Sequence, residues 1–220
     1  MLRNQGFAQP IVLWERGIDT QRFYPRARQH HGVRRPILLY VGRVSREKNL
    51  TDFLNLDVEG TKYVVGEGPL LATLQRRYGE QIRARQVMFF GEKKGNDLAQ
   101  LYAEADVFVF PSKTETFGNV ILEALASGVP VAAYPVPGPL DILTDKQAGA
   151  LHDNLTLAVR QVLAHGCAAA CRALAKQYTW ERSTDQFLRA LLPVTPTDAS
   201  QHDSPWQNTS VGLEPIMSAS

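Results

Sequence analysis

The chain of 220 residues predicts an α/β domain with a Rossmann-like, doubly wound parallel sheet, running from about Arg35 to Ala190. Three observations carry this expectation. Short apolar runs alternate with amphipathic segments, the pattern of a parallel sheet wrapped by helices. The runs are almost continuously apolar, as strands buried on both faces are. Several end in glycine or proline followed by charged residues, at the strand end where open α/β sheets gather their ligands.

Taken in order, the expected strands are Ile37–Val41, residues 63–65, residues 87–90, Val107–Phe110 and residues 129–134. Between them fall helices around Leu50–Leu54, residues 70–78, residues 97–104 and Asn119–Ala126. Further helices are expected over residues 155–164, 168–176 and 181–191. The first strand closes in Val41-Gly42-Arg43. The second closes in Val65-Gly66-Glu67-Gly68-Pro69, where two glycines flanking one residue suit a sharp turn into a helix that starts at Pro69. That stretch lacks the third glycine of a dinucleotide fingerprint. The third closes in Phe89-Phe90-Gly91-Glu92-Lys93. The fourth stops at Pro111, and after a polar loop Gly118 and Asn119 open a short helix that Gly128 closes.

The two ends read differently. Residues 1–34 include a strand-like run, Ile11 to Trp14, with no partner in its local sequence. Residues 193–220 are rich in Pro, Ser, Thr and Asp and read as a disordered tail despite Trp206 and Met217. The remaining 35–192 form the domain, and no internal repeat is found. Apolar residues make up 44% of the chain, a globular composition. The net charge of +2 argues against nucleic acid, and Arg76, Arg77, Arg83 and Arg85 read as a solvated helix face. No run is long enough to span a bilayer, and Met1 to Gly6 lack the apolar stretch of a signal peptide. The 2 cysteines, Cys167 and Cys171, exclude a disulfide scaffold and are too few for a structural zinc site. They read as filler in a reducing, cytoplasmic setting.

The region from Pro111 to Pro130 is the most informative. Its helix is apolar on every face except for Glu123, and a buried carboxylate is costly unless something bonds it. The helix start presents free amides and the positive end of a dipole, a ready phosphate site. Glu115 precedes it in the loop. Arg43 offers a planar fork and Lys48 a compact charge just past a strand end, both suited to phosphate oxygens. Gly42 lets a ligand approach the backbone. Gly66 and Gly68 suit a ligand contact and a plain structural turn equally well. Phe90 and Gly91 are a candidate wall for a base, with at least one of Phe89 and Phe90 in the core. No Asp-x-Asp metal motif occurs, so leaving-group charge would be balanced by Arg43, Lys48 and the helix start rather than by a metal. Neither a Ser-His-Asp nor a Cys-His arrangement is found, and His30, His31, His152 and His165 read as incidental.

Together Gly42-Arg43 with Lys48, Gly66-Glu67-Gly68-Pro69, Phe90-Gly91, Ala105 to Ser112 and the Glu115/Glu123 pair resemble the donor-binding, C-terminal domain of the retaining group 1 (family 4) glycosyltransferases of GT-B fold. The flavour is that of GDP-mannose-dependent α-mannosyltransferases and relatives using UDP-sugars. The resemblance spans roughly Trp14 to Leu191. It implies a metal-independent, retaining hexosyltransferase without a cofactor, taking GDP-mannose or a UDP-sugar as donor and a glycan or lipid as acceptor. Arg43 and Lys48 would hold the diphosphate and Glu115 the sugar hydroxyls. Phe117, Gly118, Asn119 and Val120 would present amides, and Glu123 would accept the ribose hydroxyls. Gly42, Gly66 and Gly91 would complete the donor pocket, with Glu115, Arg43 and Lys48 carrying catalysis.

Two departures stand out. Where many relatives carry Gly-Gly and a glutamate, this chain reads Val136-Pro137-Gly138-Pro139-Leu140-Asp141, and Asp141 would stand in. The resemblance also implies an N-terminal acceptor domain, with Trp14 to Asp19, Phe23 and Pro25 as the interdomain crossing. The chain is then expected to need that domain or a partner chain for activity, and to lie in the cytoplasm or at the inner face of the membrane. The alternatives are a non-catalytic donor-binding fragment or split subunit, and a GT-B nucleotide-sugar epimerase, for which no extra acid–base residues are found.

Overall fold

The computed structural model describes Gly6 and residues 14–29, 32–114 and 118–191. Strands β1 (Ile37–Val41), β2 (Thr61–Val65), β3 (Val87–Phe89), β4 (Val107–Phe110), β5 (Val131–Ala133) and β6 (Gly149–Leu151) form one sheet in the order β3-β2-β1-β4-β5-β6. Every pairing is parallel, with Leu39 beside Tyr63, Leu38 beside Val107, Phe108 beside Val131 and Ala132 beside Ala150. The order reverses between β1 and β4. At such a switch point neighbouring crossovers leave to opposite sides and open a crevice at the strand carboxyl ends.

The helices are α1 (Leu50–Leu54), α2 (Leu71–Arg77), α3 (Gly79–Arg83), α4 (Gly95–Glu104), α5 (Asn119–Ala126), α6 (Pro139–Ile142), α7 (Leu155–His165), α8 (Ala168–Ala175) and α9 (Trp180–Ala190), with a 3₁₀ turn at Arg46–Lys48. Successive strand residues point to opposite faces, which divides the core in two. Leu38, Tyr40, Val64, Val107 and Val109 pack with Phe53 of α1, Leu74 of α2 and Val159 of α7. Leu39, Tyr63, Val65, Phe108 and Phe110 pack with Tyr102 of α4, Leu122 and Leu125 of α5 and Leu174 of α8.

The expected elements are present with shifted ends. The run at residues 129–134 yields a strand only over Val131–Ala133, because Pro130 has no amide to donate and the Val129 amide bonds Ala124 O of α5 at 2.9 Å. The helix expected at residues 70–78 is α2, separated from α3 at Tyr78. Sequence reasoning did not anticipate α3, α6 or β6. The Gly-Ala-Leu of β6 has no β-branched or aromatic residue and forms a strand because β5 pairs with it.

Ile11 to Leu13 lie outside the described residues, as do His30, His31 and the tail with Trp206 and Met217. Trp14 finds a partner far along the chain: its Nε1 donates to Ser183 O and Oγ of α9 at 3.1 Å, and its ring stands 5.4 Å from Phe187. Ile18 and Phe23 are buried in the core. Cys167 and Cys171 are free thiols, and burial pushes that of Cys171 up to about 12. Arg76, Arg77, Arg83 and Arg85 are exposed. Among the described residues no helix is long and apolar enough to cross a membrane.

Candidate functional site

The turns leaving β1, β2 and β3 are stitched side by side at one sheet edge. Gly42 N donates to Val65 O at 3.0 Å, Val44 N to Glu67 O at 2.8 Å and Gly66 N to Gly91 O at 2.8 Å. Gly66 has φ 134°, and a Cβ there would stand 2.0 Å from Gly42 O; only glycine allows the two turns to cross. A Cβ at Gly68 would stand 2.4 Å from Val44 O. The structural reading therefore holds for both glycines, and Gly66 also lines a cavity.

A cleft of about 260 Å³ opens between the ends of β1 and β4, the switch point of the sheet. Arg16, Tyr40, Gly42, Lys48 and Ser112 line it together with Gly118, Asn119 and Val120 at the start of α5. Gly118, at φ 84°, turns the chain into α5, and among the described residues no side chain caps the helix. Among the described residues the Asn119 and Val120 amides thus have no acceptor, while Ile121 N donates to Gly118 O at 2.9 Å. A second cavity of about 400 Å³ shares Val41 and Gly42 and adds Arg43, Gly66, Glu67, Glu92 and Lys93.

The two expected cations stand on the two sides of Gly42, Lys48 in the cleft and Arg43 in the adjoining cavity. Both act on Glu47. Its carboxyl is held below its ordinary value first by the Ser45 hydroxyl, donating at 2.6 Å, then by a backbone hydrogen bond and, less, by these two charges. The Tyr40 hydroxyl donates to Arg43 O at 2.8 Å and fixes the turn backbone; burial pushes this phenol's pKa up.

Glu123 is half-buried one turn into α5 and is not among the residues lining either cavity. Burial raises its pKa, and a 2.8 Å hydrogen bond from the fully buried Tyr102 hydroxyl to Oε2 works the other way. The chain itself thus supplies a partner for the carboxylate that sequence reasoning left to ligand hydroxyls. Tyr102 gives no sequence signal, being one aromatic residue in an amphipathic helix.

A polar network secures the loop after β4. Asp52 of α1 accepts from the Tyr134 hydroxyl at 2.6 Å and from Asn49 Nδ2 at 2.5 Å, and Lys113 Nζ lies 3.6 Å away. Asn49 Nδ2 also donates to Pro111 O at 3.2 Å, and Lys113 sits 4.7 Å from the centre of the Tyr134 ring. Burial works to raise the Asp52 carboxyl, but the Tyr134 and Asn49 bonds and the Lys113 charge outweigh it and hold it low. Glu115 and Phe117 lie outside the described residues. Their flanks are placed, with Thr114 on one side and Gly118 in the cleft on the other.

β3 ends at Phe89, and neither Phe89 nor Phe90 lines the second cavity; the two rings pack into the opposite cores, Phe90 at 4.8 Å from Tyr63. Gly91 is not among the residues lining either cavity, and its carbonyl accepts from Gly66 N at 2.8 Å. Asp141 is exposed on α6 and lines neither cavity. His152 accepts from Asn154 N at 2.8 Å, a local turn contact. Arg16, Tyr40 and Lys93 line the site without having been singled out for it.

Residues 24–163 match the family described as Glycosyl transferases group 1. The chain is 35% identical over 193 residues to a GDP-mannose-dependent alpha-mannosyltransferase of Mycolicibacterium smegmatis, covering 80% of this chain and 49% of that protein. It is also 35% identical over 153 residues to sulfoquinovosyl transferase SQD2 of Arabidopsis thaliana, covering 64% of this chain and 29% of that one. The chain thus spans half or less of the length of these curated relatives. Among solved structures, sucrose-phosphate synthase from Thermosynechococcus elongatus superposes with a TM-score of 0.64 at 28% identity, covering 79% of this chain and 50% of that one. The pneumococcal O-GlcNAc transferase GtfA, solved with UDP and GlcNAc, shares the fold at a TM-score of 0.61 and 18% identity, covering 80% and 37%. With its parallel sheet, its switch-point cleft and this family match over most of the domain, the chain belongs to the group 1 glycosyltransferases and has the Rossmann-like fold of their C-terminal domain.

Proposed function

We propose that this chain is the donor-binding half of a retaining, metal-independent hexosyltransferase that uses a nucleoside-diphosphate sugar. The observation that carries the reading is the pair of adjoining cavities at the switch point, with Lys48 and the uncapped start of α5 on one side of Gly42 and Arg43 on the other. Two cations and the open Asn119 and Val120 amides at one strand edge suit a diphosphate. Similarity to a GDP-mannose-dependent mannosyltransferase supports GDP-mannose as the donor; a UDP-sugar is the alternative.

In this reading the Gly118–Val120 amides and Lys48 hold the diphosphate and Arg43 grips it from the second cavity. Glu123, behind the residues that line the cleft, accepts ribose hydroxyls through Oε1, the oxygen that Tyr102 does not bond, and Glu115 meets the sugar hydroxyls. The bond between the anomeric carbon and the phosphate oxygen breaks while the acceptor oxygen bonds that carbon on the same face. The acceptor proton passes to the departing phosphate. The charge that develops on the leaving group is met by fixed cations and amides. A second domain, in the same or another chain, would hold the glycan or lipid acceptor, and orientation of that kind is worth roughly 7–11 kcal/mol of barrier.

The test is calorimetric titration of GDP and UDP in the presence of a chelator. A lost charged hydrogen bond costs roughly 1.5–3 kcal/mol, so Arg43→Ala should weaken the preferred nucleotide at least about tenfold. Unchanged affinity in that variant, or no binding by the parent chain, defeats the reading.

A further inference from the structure

Arg16 stands in the cleft although it belongs to the segment ahead of the sheet. Its side chain is exposed, and among the described residues no hydrogen bond or ion pair engages its guanidinium. The described residues lining the cleft include Arg16 and Lys48 but no Asp or Glu. An arginine held at the mouth of such a cleft, with the first amides of an uncapped helix on the same wall, has an anion as its natural complement.

The backbone that carries Arg16 is held firmly on both sides. Before it, Glu15 N donates to Gln186 Oε1 at 3.0 Å, Ser183 Oγ donates to Glu15 O at 2.7 Å, and Arg182 lies 3.4 Å from the Glu15 carboxylate. After it, a Cβ at Gly17 would meet Trp180 N at 2.5 Å, and Ile18 N donates to Tyr178 O at 2.9 Å. The segment is therefore clamped to the start and first turns of α9. A side chain on a fixed backbone loses less freedom on binding than one on a loose loop.

We propose that Arg16 is a direct donor contact, gripping the phosphate that bears the sugar, and that α9 holds it in place. The assignment rests on the donor-binding reading above and adds a third cation to it. Arg43 reaches the diphosphate from the second cavity, whereas Arg16 shares the first with Lys48 and the α5 amides. The cleft then takes the distal phosphate of a nucleoside diphosphate, a group that a nucleoside monophosphate lacks.

The experiment is chelator-treated calorimetry of the full chain with GDP, GMP, UDP and UMP, comparing the parent protein with Arg16→Met, Arg16→Lys and Arg43→Ala. Arg16→Met should weaken the preferred diphosphate about tenfold or more and leave the matching monophosphate within about twofold. Arg16→Lys should fall between the parent and Arg16→Met, and circular dichroism should show the same fold for all. If Arg43→Ala weakens the diphosphate while Arg16→Met does not, the Arg16 contact is wrong and the donor site stands. Equal loss for mono- and diphosphate, or a lysine variant no better than methionine, also overturns the assignment. If the parent chain binds no nucleoside diphosphate, both readings fall together.

Discussion

Removing the Tyr102 hydroxyl tests how α5 tolerates its carboxylate. The bond to Glu123 Oε2 is 2.8 Å long and its donor is fully buried. In Tyr102→Phe a half-buried charge keeps its desolvation and loses this partner. Hydrogen bonds to charged groups contribute about 1.5–3 kcal/mol, against about 0.5–1.5 for neutral ones. The sign with pH follows from burial, which raises the folded-state pKa of Glu123 while the Tyr102 bond lowers it. A carboxyl raised on folding favours the native state fully below its unfolded value and loses that contribution as the pH rises through the folded value. Deleting the hydroxyl raises the folded value further, so the damage is greatest when Glu123 is charged. The expected loss in unfolding free energy is about 1.5–3 kcal/mol at pH 7.5, shrinking to about 0.5–1.5 kcal/mol near pH 4. At about 2–4 °C per kcal/mol for a chain of this size, the melting temperature at pH 7.5 should fall by roughly 3–12 °C. Urea denaturation followed by circular dichroism at several pH values measures this. Glu123→Gln is the control, since Tyr102→Phe made in that background should show no pH dependence. A penalty that is flat between pH 4 and 7.5, or that keeps its pH dependence without Glu123, refutes the argument.

Gly66→Ala should destabilise the domain by at least about 2 kcal/mol, because it combines a strained backbone with a Cβ 2.0 Å from Gly42 O; chemical denaturation reads it, and a neutral result would mean that the turns can part. Asp52→Asn should lower stability by about 0.5–1.5 kcal/mol at neutral pH, since the amide keeps an acceptor oxygen and the partly exposed charge beside Lys113 is screened by solvent. Because the Asp52 carboxyl is held low on folding, its contribution is complete above about pH 4 and is lost as the pH falls through the folded value. Variant and parent should therefore converge in acid, and a gap that persists there would show that Asp52 acts by shape alone.

What could be read along the chain was what local chemistry imposes. The apolar runs around Leu39, Val64 and Phe108 had to be strands of a buried parallel sheet, since little else hides consecutive apolar residues on both faces. Gly42, Gly66, Gly91 and Pro111 mark strand ends because each breaks or bends a strand, and in a parallel sheet equivalent ends share an edge. Gly118 and Asn119 announced the start of α5 for the same local reason. Short elements with bland composition, such as Gly149 to Leu151, were invisible because pairing with a neighbour rather than intrinsic preference makes them strands. Partnerships across long separations were equally hidden: Tyr102 beneath Glu123, Asp52 under Tyr134 and Lys113, and Trp14 on Ser183. Nothing in one segment encodes the distance to another, and only the packed sheet brings such groups together. The placement of Arg16 in the cleft shows this most clearly. Its own neighbours in sequence carry no phosphate signal, and it reaches the site because α9, about 165 residues later by position, folds back and holds its backbone.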